Sequence, residues 1–449
     1  MFAQRFIAVL LFGIGSTSGL LAQSSPTYPE VFLPELDQIL DQARERAPAL
    51  VAQAIAQQEA TARLDAAKAA YYPRLDFGGN FGVTQSSYLD GNYPDEQTTG
   101  IAFNARVTRP IYHWGAIEAK IRQARLDFNN ESLQRVFILR QIKRGLRADY
   151  LTLLLNQTSL EILRLRRQIT ADNATRTASD RQQGALSSMA SEQAEINLAQ
   201  DVLNLEQVDS DQTRIVADFK RNLGWDVPLR IDVPPPRPDS VALIAWAEQT
   251  RAQGLDAWLA DHAEVKRREN LIKRERAELI RIKAAQRPLL NFTASIGQGQ
   301  RNTSAANNVS TLSTFIGIDA SWNIFDGFET SARKRESQLR QRRLERQLEA
   351  YRSELRAQAV NVVVQIGFLA RQYQLDERRA ALAEQTFSIQ KREMDEGRVS
   401  APVFRQQQVA VQESRLAELR MRVRLLLALN DYLDLTLPAV VDAQVDYSK

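Results

Sequence analysis

The chain contains no cysteine, so it has neither a disulfide framework nor a thiolate metal site, and no cysteine to carry an N-terminal lipid. Its only histidines, His113 and His262, leave little for acid–base chemistry. No Ser/His/Asp set, paired acids in a pocket, phosphate-cradling glycine loop or metal-ligand spacing accompanies them. The chain is therefore read as a non-enzyme without cofactor or metal. After the N-terminus no apolar run approaches the ~20 residues of a membrane-spanning helix, which excludes a polytopic helical membrane protein. Hydrophobic content of 44% with 25% charge is that of a folded protein.

Proline is also missing from two long stretches. From Phe328 to Glu396 there is none, and Gly367 is the only glycine. A helix of about 69 residues spans roughly 100 Å, too long for a globule. Its apolar residues recur at coiled-coil steps (Leu344, Leu348, Tyr351, Leu355, then Val362, Ile366, Leu369, Tyr373), with a stutter between the runs. Ala116 to Gln183 has almost the same length and habit (Ile117, Ile121, Ala124, Phe128; Leu139, Ile142, Leu146, Tyr150, Leu153). Basic clusters such as Arg333-Lys334-Arg335 are interleaved with glutamates, so they read as a solvated helix face and no nucleic-acid partner is expected.

Residues 1–22 read as a signal peptide, with Arg5, an apolar core from Phe6 to Phe12, and a cut after Ala22. A helical stretch from about Glu35 to Tyr71, which Pro48 threatens to break, stops at Tyr72-Pro73. The period then changes. Leu75, Phe77, Phe81 and Val83 alternate with Asp76, Asn80 and Thr84, and Ile101, Phe103, Ala105 and Val107 with Asn104 and Arg106. This is a pair of strands, each with one apolar and one polar face, joined by a polar loop with Asp90-Gly91-Asn92 and Pro94. The second strand is expected to stop at Arg109-Pro110. A long helix follows to Gly184, a shorter one returns from about Ser188 to Asn222, and the proline-rich segment Trp225 to Pro238 links to a second half.

That half repeats the order: a helix from Val241 to Gln286 that Gly254 is placed to interrupt, two strands (Leu290, Phe292, Ala294, Ile296; Ile316, Ile318, Ala320, Trp322), the second long helix and a return helix. Ile111 and Ile324, Gly184 and Gly397, Ser187 and Ser400, and Phe219 and Tyr432 each lie 213 residues apart. The expected organisation is a signal peptide (1–22), a first structural repeat (23–232) and a second with a C-terminal tail (233–449).

Four strands of about 9–10 residues match a tilted bilayer crossing, with Leu75, Phe77, Phe81, Ile101, Phe103, Phe292, Ile296, Ile316 and Ile318 toward lipid. Four strands cannot close a barrel, and an open edge in lipid leaves backbone groups unpaired, so the chain must oligomerise. Aromatics cluster where strands meet helices, notably Tyr72, Tyr112, Trp114, Trp322 and Phe325, as in an interfacial belt.

The duplicated hairpins, the Ile-Tyr-His-Trp-Gly and Ile-Phe-Asp-Gly-Phe lead-ins to the long helices, and the Gly184-Ala-Leu-Ser187 and Gly397-Arg-Val-Ser400 turns resemble the TolC-type outer-membrane efflux family. The resemblance implies an α+β membrane protein, a homotrimer with a 12-stranded transmembrane β-barrel in the outer membrane and a long α-helical barrel across the periplasm. There a periplasmic adaptor protein and an inner-membrane pump dock, and outer-membrane lipid surrounds the barrel. The function implied is a passive exit duct of a tripartite efflux or type I secretion system. Family members often carry aspartates six and nine residues after the second turn glycine, where this chain has Val403 and Gln406, with Ala190 and Gln193 in the first half. Gly184, Ser187, Glu192, Gly397, Arg398, Ser400 and Arg405 complete the expected periplasmic tip and pore constriction. The alternatives are a periplasmic coiled-coil scaffold without a pore, against which the matched strand faces argue, and an adaptor-like binding module, for which too few strands remain.

Overall fold

The computed structural model describes residues 28–86, 96–226, 233–253, 258–303 and 308–436. The expected signal peptide, the loop with Asp90-Gly91-Asn92 and most of the C-terminal tail lie outside them. Helices α1 (Pro34–Arg46) and α2 (Pro48–Lys68) precede strands β1 (Arg74–Ser86) and β2 (Glu96–Tyr112), long helix α3 (Ala116–Gln182) and its return α4 (Ser188–Leu223). The second half runs α5 (Ser240–Gln253), α6 (Ala263–Ala284), β3 (Leu289–Thr303), β4 (Asn308–Ser321), long helix α7 (Glu329–Asp395) and its return α8 (Ala401–Thr436).

Both long helices have 67 residues and both return helices 36. Pro48 does split the first helical stretch, starting α2 where its missing N–H costs nothing. The strands run 13–17 residues, longer than expected. β2 also continues past Pro110 to Tyr112, the register slipping there because proline offers no N–H to the ladder.

The short helices stack end to end beside the long ones. Gly224, left-handed at φ +81°, closes α4 against the start of α2, and a Cβ there would lie 2.8 Å from two ring carbons of Pro48. In the second half Leu435 near the end of α8 packs against the cluster that holds Leu259, just before α6, and Val265 in its first turn. On the sheet side of this join the helices neighbour one another in the order α2, α3, α6, α7; on the far side the order is α4, α3, α8, α7.

The main core sits at this join, the collar of the shaft, where α1 and α5 pack on the long helices. Leu36 and Leu40 of α1, Tyr150, Leu151 and Leu154 of α3, Phe219 and Leu223 of α4, Ile366 and Tyr373 of α7 and Leu425 of α8 are all buried in one cluster. Each such side chain withdrawn from water stabilises by about 1.5–3 kcal/mol. Beside it, Arg147 is held by Glu30 (2.6 and 3.0 Å) and Asp434 (3.3 Å), with the Tyr28 ring 3.9 Å from its guanidinium carbon. These contacts tie the first described residues to the last turn of α8.

Burial raises Asp434 to about 6 against the attraction of Arg147, and burial lowers His262 to about 4, with Arg140 pushing the same way. Both line one cleft between α3, α7 and the end of α8. Folding takes up a proton at Asp434 between its unfolded and folded values, so that contribution to stability falls as pH rises from about 4 to 6. His262 has the opposite sign, because the unfolded chain holds the proton between about 4 and 6.5. The two offset each other in the intact protein. Thermal midpoints measured from pH 4.5 to 6.5 should therefore rise more steeply with pH in Asp434→Asn than in the parent, and less steeply in His262→Gln, by up to about 1.4 kcal/mol per pH unit each. Parallel curves for all three proteins would refute the assignment.

Candidate channel wall and periplasmic tip

The four strands form one antiparallel sheet in the order β1-β2-β3-β4. Cross-strand partners share a face, so the pairs Leu75–Val107, Phe77–Ala105, Phe81–Ile101, Ala105–Ile296, Phe292–Ile318 and Ala294–Ile316 align one apolar surface through all four strands. All nine residues expected toward lipid lie on it, and they are 39–77% exposed in the single chain. Phe103 lies over Gly79, where no side chain would fit, and stacks with Phe77. The other face carries Asp76, Arg106 and Ser295 in one cross-strand row. Phe315 continues that row as an apolar residue, its ring folded over Gly317.

The strand–helix junctions are pinned by their aromatics. Trp114 donates its indole N–H to the Pro288 carbonyl (2.8 Å) under the Arg287 guanidinium, and Trp322 donates to the Gln286 carbonyl (3.0 Å). Tyr112 meets Trp114 edge to face, Phe325 meets Phe328, and Tyr72 is exposed. His113 hydrogen-bonds Asn291 across the halves, a structural role. Both junctions need two successive left-handed residues, Trp114-Gly115 and Gly327-Phe328. Glycine relieves one position of each pair, and an aromatic side chain occupies the other, at a strain of roughly 1–2 kcal/mol.

At the opposite end α3 and α7 terminate alike. Gly184 (φ +76°) and Gly397 (φ +74°) are left-handed, and the Ala185 and Arg398 amides return to the Asp180 and Glu393 carbonyls at 2.8 Å each. Ser187 then caps α4 by accepting from the Ala190 amide (3.3 Å), while Ser400 starts α8 through its carbonyl, which accepts from the Phe404 amide. Ser187, Glu192, Gln193, Gly397, Arg398, Ser400, Val403 and Gln406 are exposed, and Ala190 is half-buried. Arg398 pairs with Glu396 (2.6 Å). Arg405 does not stand free at the tip. Half-buried, it faces Asp172, Arg176 and Asp180 of α3, and burial and Arg176 lower its pKa.

Two features escaped the sequence reading. Phe387 and Phe404 stack at 5.3 Å between α7 and α8, whereas the matching positions in α3 and α4, 213 residues earlier, are the buried Ala174 and Ser191. Exposed apolar stripes also run along the outermost helices: Met189, Ile196 and Leu203 on α4, and Phe368, Leu375, Leu382 and Ile389 on α7. Their seven-residue spacing was readable in the sequence.

Among the described residues no helix is long and apolar enough to cross a membrane, and no cluster of metal-ligating side chains occurs. Residues 39–224, most of the first half, match the family described as outer membrane efflux protein. The chain as a whole shares its fold with solved outer-membrane channels. The Campylobacter jejuni CmeC outer membrane channel superposes with a TM-score of 0.73 at 12% identity, covering 97% of this chain and 94% of that one. The outer membrane protein VceC of Vibrio cholerae gives 0.73 at 13% identity over 92% and 98%. The Neisseria gonorrhoeae MtrE outer membrane channel in its open state gives 0.69 at 14% over 90% and 89%. No curated protein sequence matches the chain.

With the register fixed, arginine at Phe81 should cost about 2–4 kcal/mol near the bilayer midplane and reduce the amount of assembled protein in outer membranes, while Asn80→Arg on the other face should be accepted. Heat-modifiability gels of membrane fractions measure this, and equal tolerance would place the lipid face wrongly.

Proposed function

We propose that this chain is one protomer of a trimeric, passive exit duct in the outer membrane, whose helical shaft crosses the periplasm and meets an adaptor and an energised inner-membrane pump. The observation that carries the reading is that every level of the molecule ends on the same two sides. The sheet ends in β1 and β4, the helical layer beneath in α2 and α7, and the lower shaft in α4 and α7. Joining one side to the other side of the next copy is a heterologous contact that repeats until a ring closes. Two copies would give about 8 strands, a barrel filled by its own side chains, and three copies about 12, which leaves a lumen. The two halves, 23–232 and 233–449, then alternate around the axis as near-equivalents.

The apolar stripes supply the seam. α4 and α7 run in opposite directions, so tip-to-collar order sets Met189 near Ile389, Ile196 near Leu382 and Leu203 near Leu375 of the adjacent copy, in the manner of coiled-coil positions. In this reading the shaft is passive and transport energy comes from the partner. A scaffold without a pore would have no use for a sheet with one apolar face above this shaft.

Aspartate at Leu382 or Ile196 places an unpaired charge in that seam, at several kcal/mol per contact. Light scattering in mild detergent should show the trimer giving way to monomer. Trimers that survive both substitutions would remove the seam.

The tip determines which ions pass. Converging carboxylates in a narrow pore bind multivalent cations, and Val403, Gln406, Ala190 and Gln193 supply none. In planar bilayers the purified trimer should show weak cation preference and little block by trivalent cations from the periplasmic side. Val403→Asp with Gln406→Asp should create that block. Strong block of the unmodified channel would assign the constriction to other acids such as Asp395 or Glu396.

A further inference from the structure

Between α6 and α7, just below the sheet, lies a cleft of about 470 Å³. At its inner end Glu275 is 4% exposed and Ser337 3%. Glu275 Oε2 reaches Arg340 at 3.6 Å, but Oε1 has no hydrogen-bond partner, and neither has the Ser337 hydroxyl. Two buried polar atoms without protein partners at the floor of one cavity leave a place for a donor from outside the chain. At the outer end Arg281 and Arg333 are more than half exposed, held only by the neighbouring acids Glu278 and Glu329 on their own helices. Such exposed pairs are weak and exchange readily.

Two of the three arginines of the cleft stand nearer the membrane than its buried acid, and Arg340 lies deeper, beside that acid. Arg281 lies three residues before the end of α6 and Arg333 four residues into α7, about 5–6 Å from the strand–helix junctions at 1.5 Å per residue. Glu275 and Ser337 lie about 12–14 Å from them. The junctions carry the aromatic belt, so the arginines stand in the headgroup layer and the unpartnered carboxylate oxygen on its water side. A phospholipid with an ethanolamine headgroup has the same order, phosphate next to the acyl chains and ammonium beyond it. The balance of charge agrees, because the arginines of the cleft (Arg281, Arg333, Arg340) are matched by Glu275, Glu278 and Glu336, which suits a zwitterion and not an anion.

We propose that this cleft binds the headgroup of a zwitterionic, primary-amine phospholipid of the periplasmic leaflet, its ammonium donating to Glu275 Oε1 and the Ser337 hydroxyl and its phosphate taken by Arg281 and Arg333. The assignment rests on the outer-membrane reading above. One lipid per protomer would clamp α6 to α7 at the mouth of the shaft.

The test is native mass spectrometry of the delipidated trimer, titrated with phosphatidylethanolamine or phosphatidylglycerol of identical acyl chains, and with soluble phosphoethanolamine as competitor. The expected result is saturation near three phosphatidylethanolamines per trimer, with the preference over phosphatidylglycerol falling about tenfold in Glu275→Gln, the loss of one charge-assisted hydrogen bond. Ser337→Leu, which fills the cleft without touching an ion pair, should abolish the saturable binding. Equal or greater phosphatidylglycerol binding, a preference unchanged in both variants, or displacement by soluble phosphoethanolamine at lipid-like concentration would overturn the site. The same spectra report the subunit mass, so an intact trimer lacking the preference overturns the headgroup site alone, and absence of a trimer overturns the duct.

Discussion

The constraint on which this architecture depends is that a backbone N–H or carbonyl in hydrocarbon must find a partner. Four strands in the order β1-β2-β3-β4 leave two edges open, and no helix among the described residues is available to cross the membrane in their place. In the assembly proposed above the sheet is completed by neighbouring copies. Because the strands run straight into the long helices through Trp114-Gly115 and Gly327-Phe328, the helices inherit the same two open sides, and closure of that ring would fix which helices meet below it.

The shaft obeys a second rule, that a helix of 67 residues needs a partner along its whole length. No return helix is that long, so each half supplies two pieces that abut at the collar. There Gly224 is pressed on Pro48, and the buried leucines and the Arg147–Glu30–Asp434 cluster fasten the join. Bringing Asp434 and His262 into this apolar neighbourhood costs desolvation, and the raised proton affinity of the one and the lowered proton affinity of the other record that burial.

Much of this was legible in the residues. The long helices, the alternation of the strands and the 213-residue offset predict the element order and the apolar face, since periodicity is a local property that every residue of an element repeats. Boundaries at Pro48, Gly184 and Gly397 were readable because proline and left-handed glycine act on the backbone itself. What escaped was set by distant contacts. Nothing local says that β2 should pass Pro110, because the slip depends on pairing with Leu290 of β3. The direction of Arg405 depends on α3, which lies more than 200 residues away in sequence. The stripes on α4 and α7 have a regular seven-residue spacing, but nothing local says whether such a stripe faces a helix of the same chain or is left outward.

The tip shows how the two kinds of information divide the work. Its two turns superimpose in sequence and backbone because a glycine at positive φ and a following serine define them without help from neighbours, and neither glycine has another atom within 4 Å of where a Cβ would stand. Side chains at Val403, Gln406, Ala190 and Gln193 are thereby released from any duty to the turn. The interior of each hairpin is not free in this way. Between α7 and α8 stand two stacked phenylalanines where α3 and α4 close on an alanine and a serine, so the two hairpins are packed differently at the same height. In the trimer proposed above, pairs of the two kinds alternate around the axis, and the packing near the tip repeats three-fold, not with the six-fold symmetry that the sequence repeat alone would give.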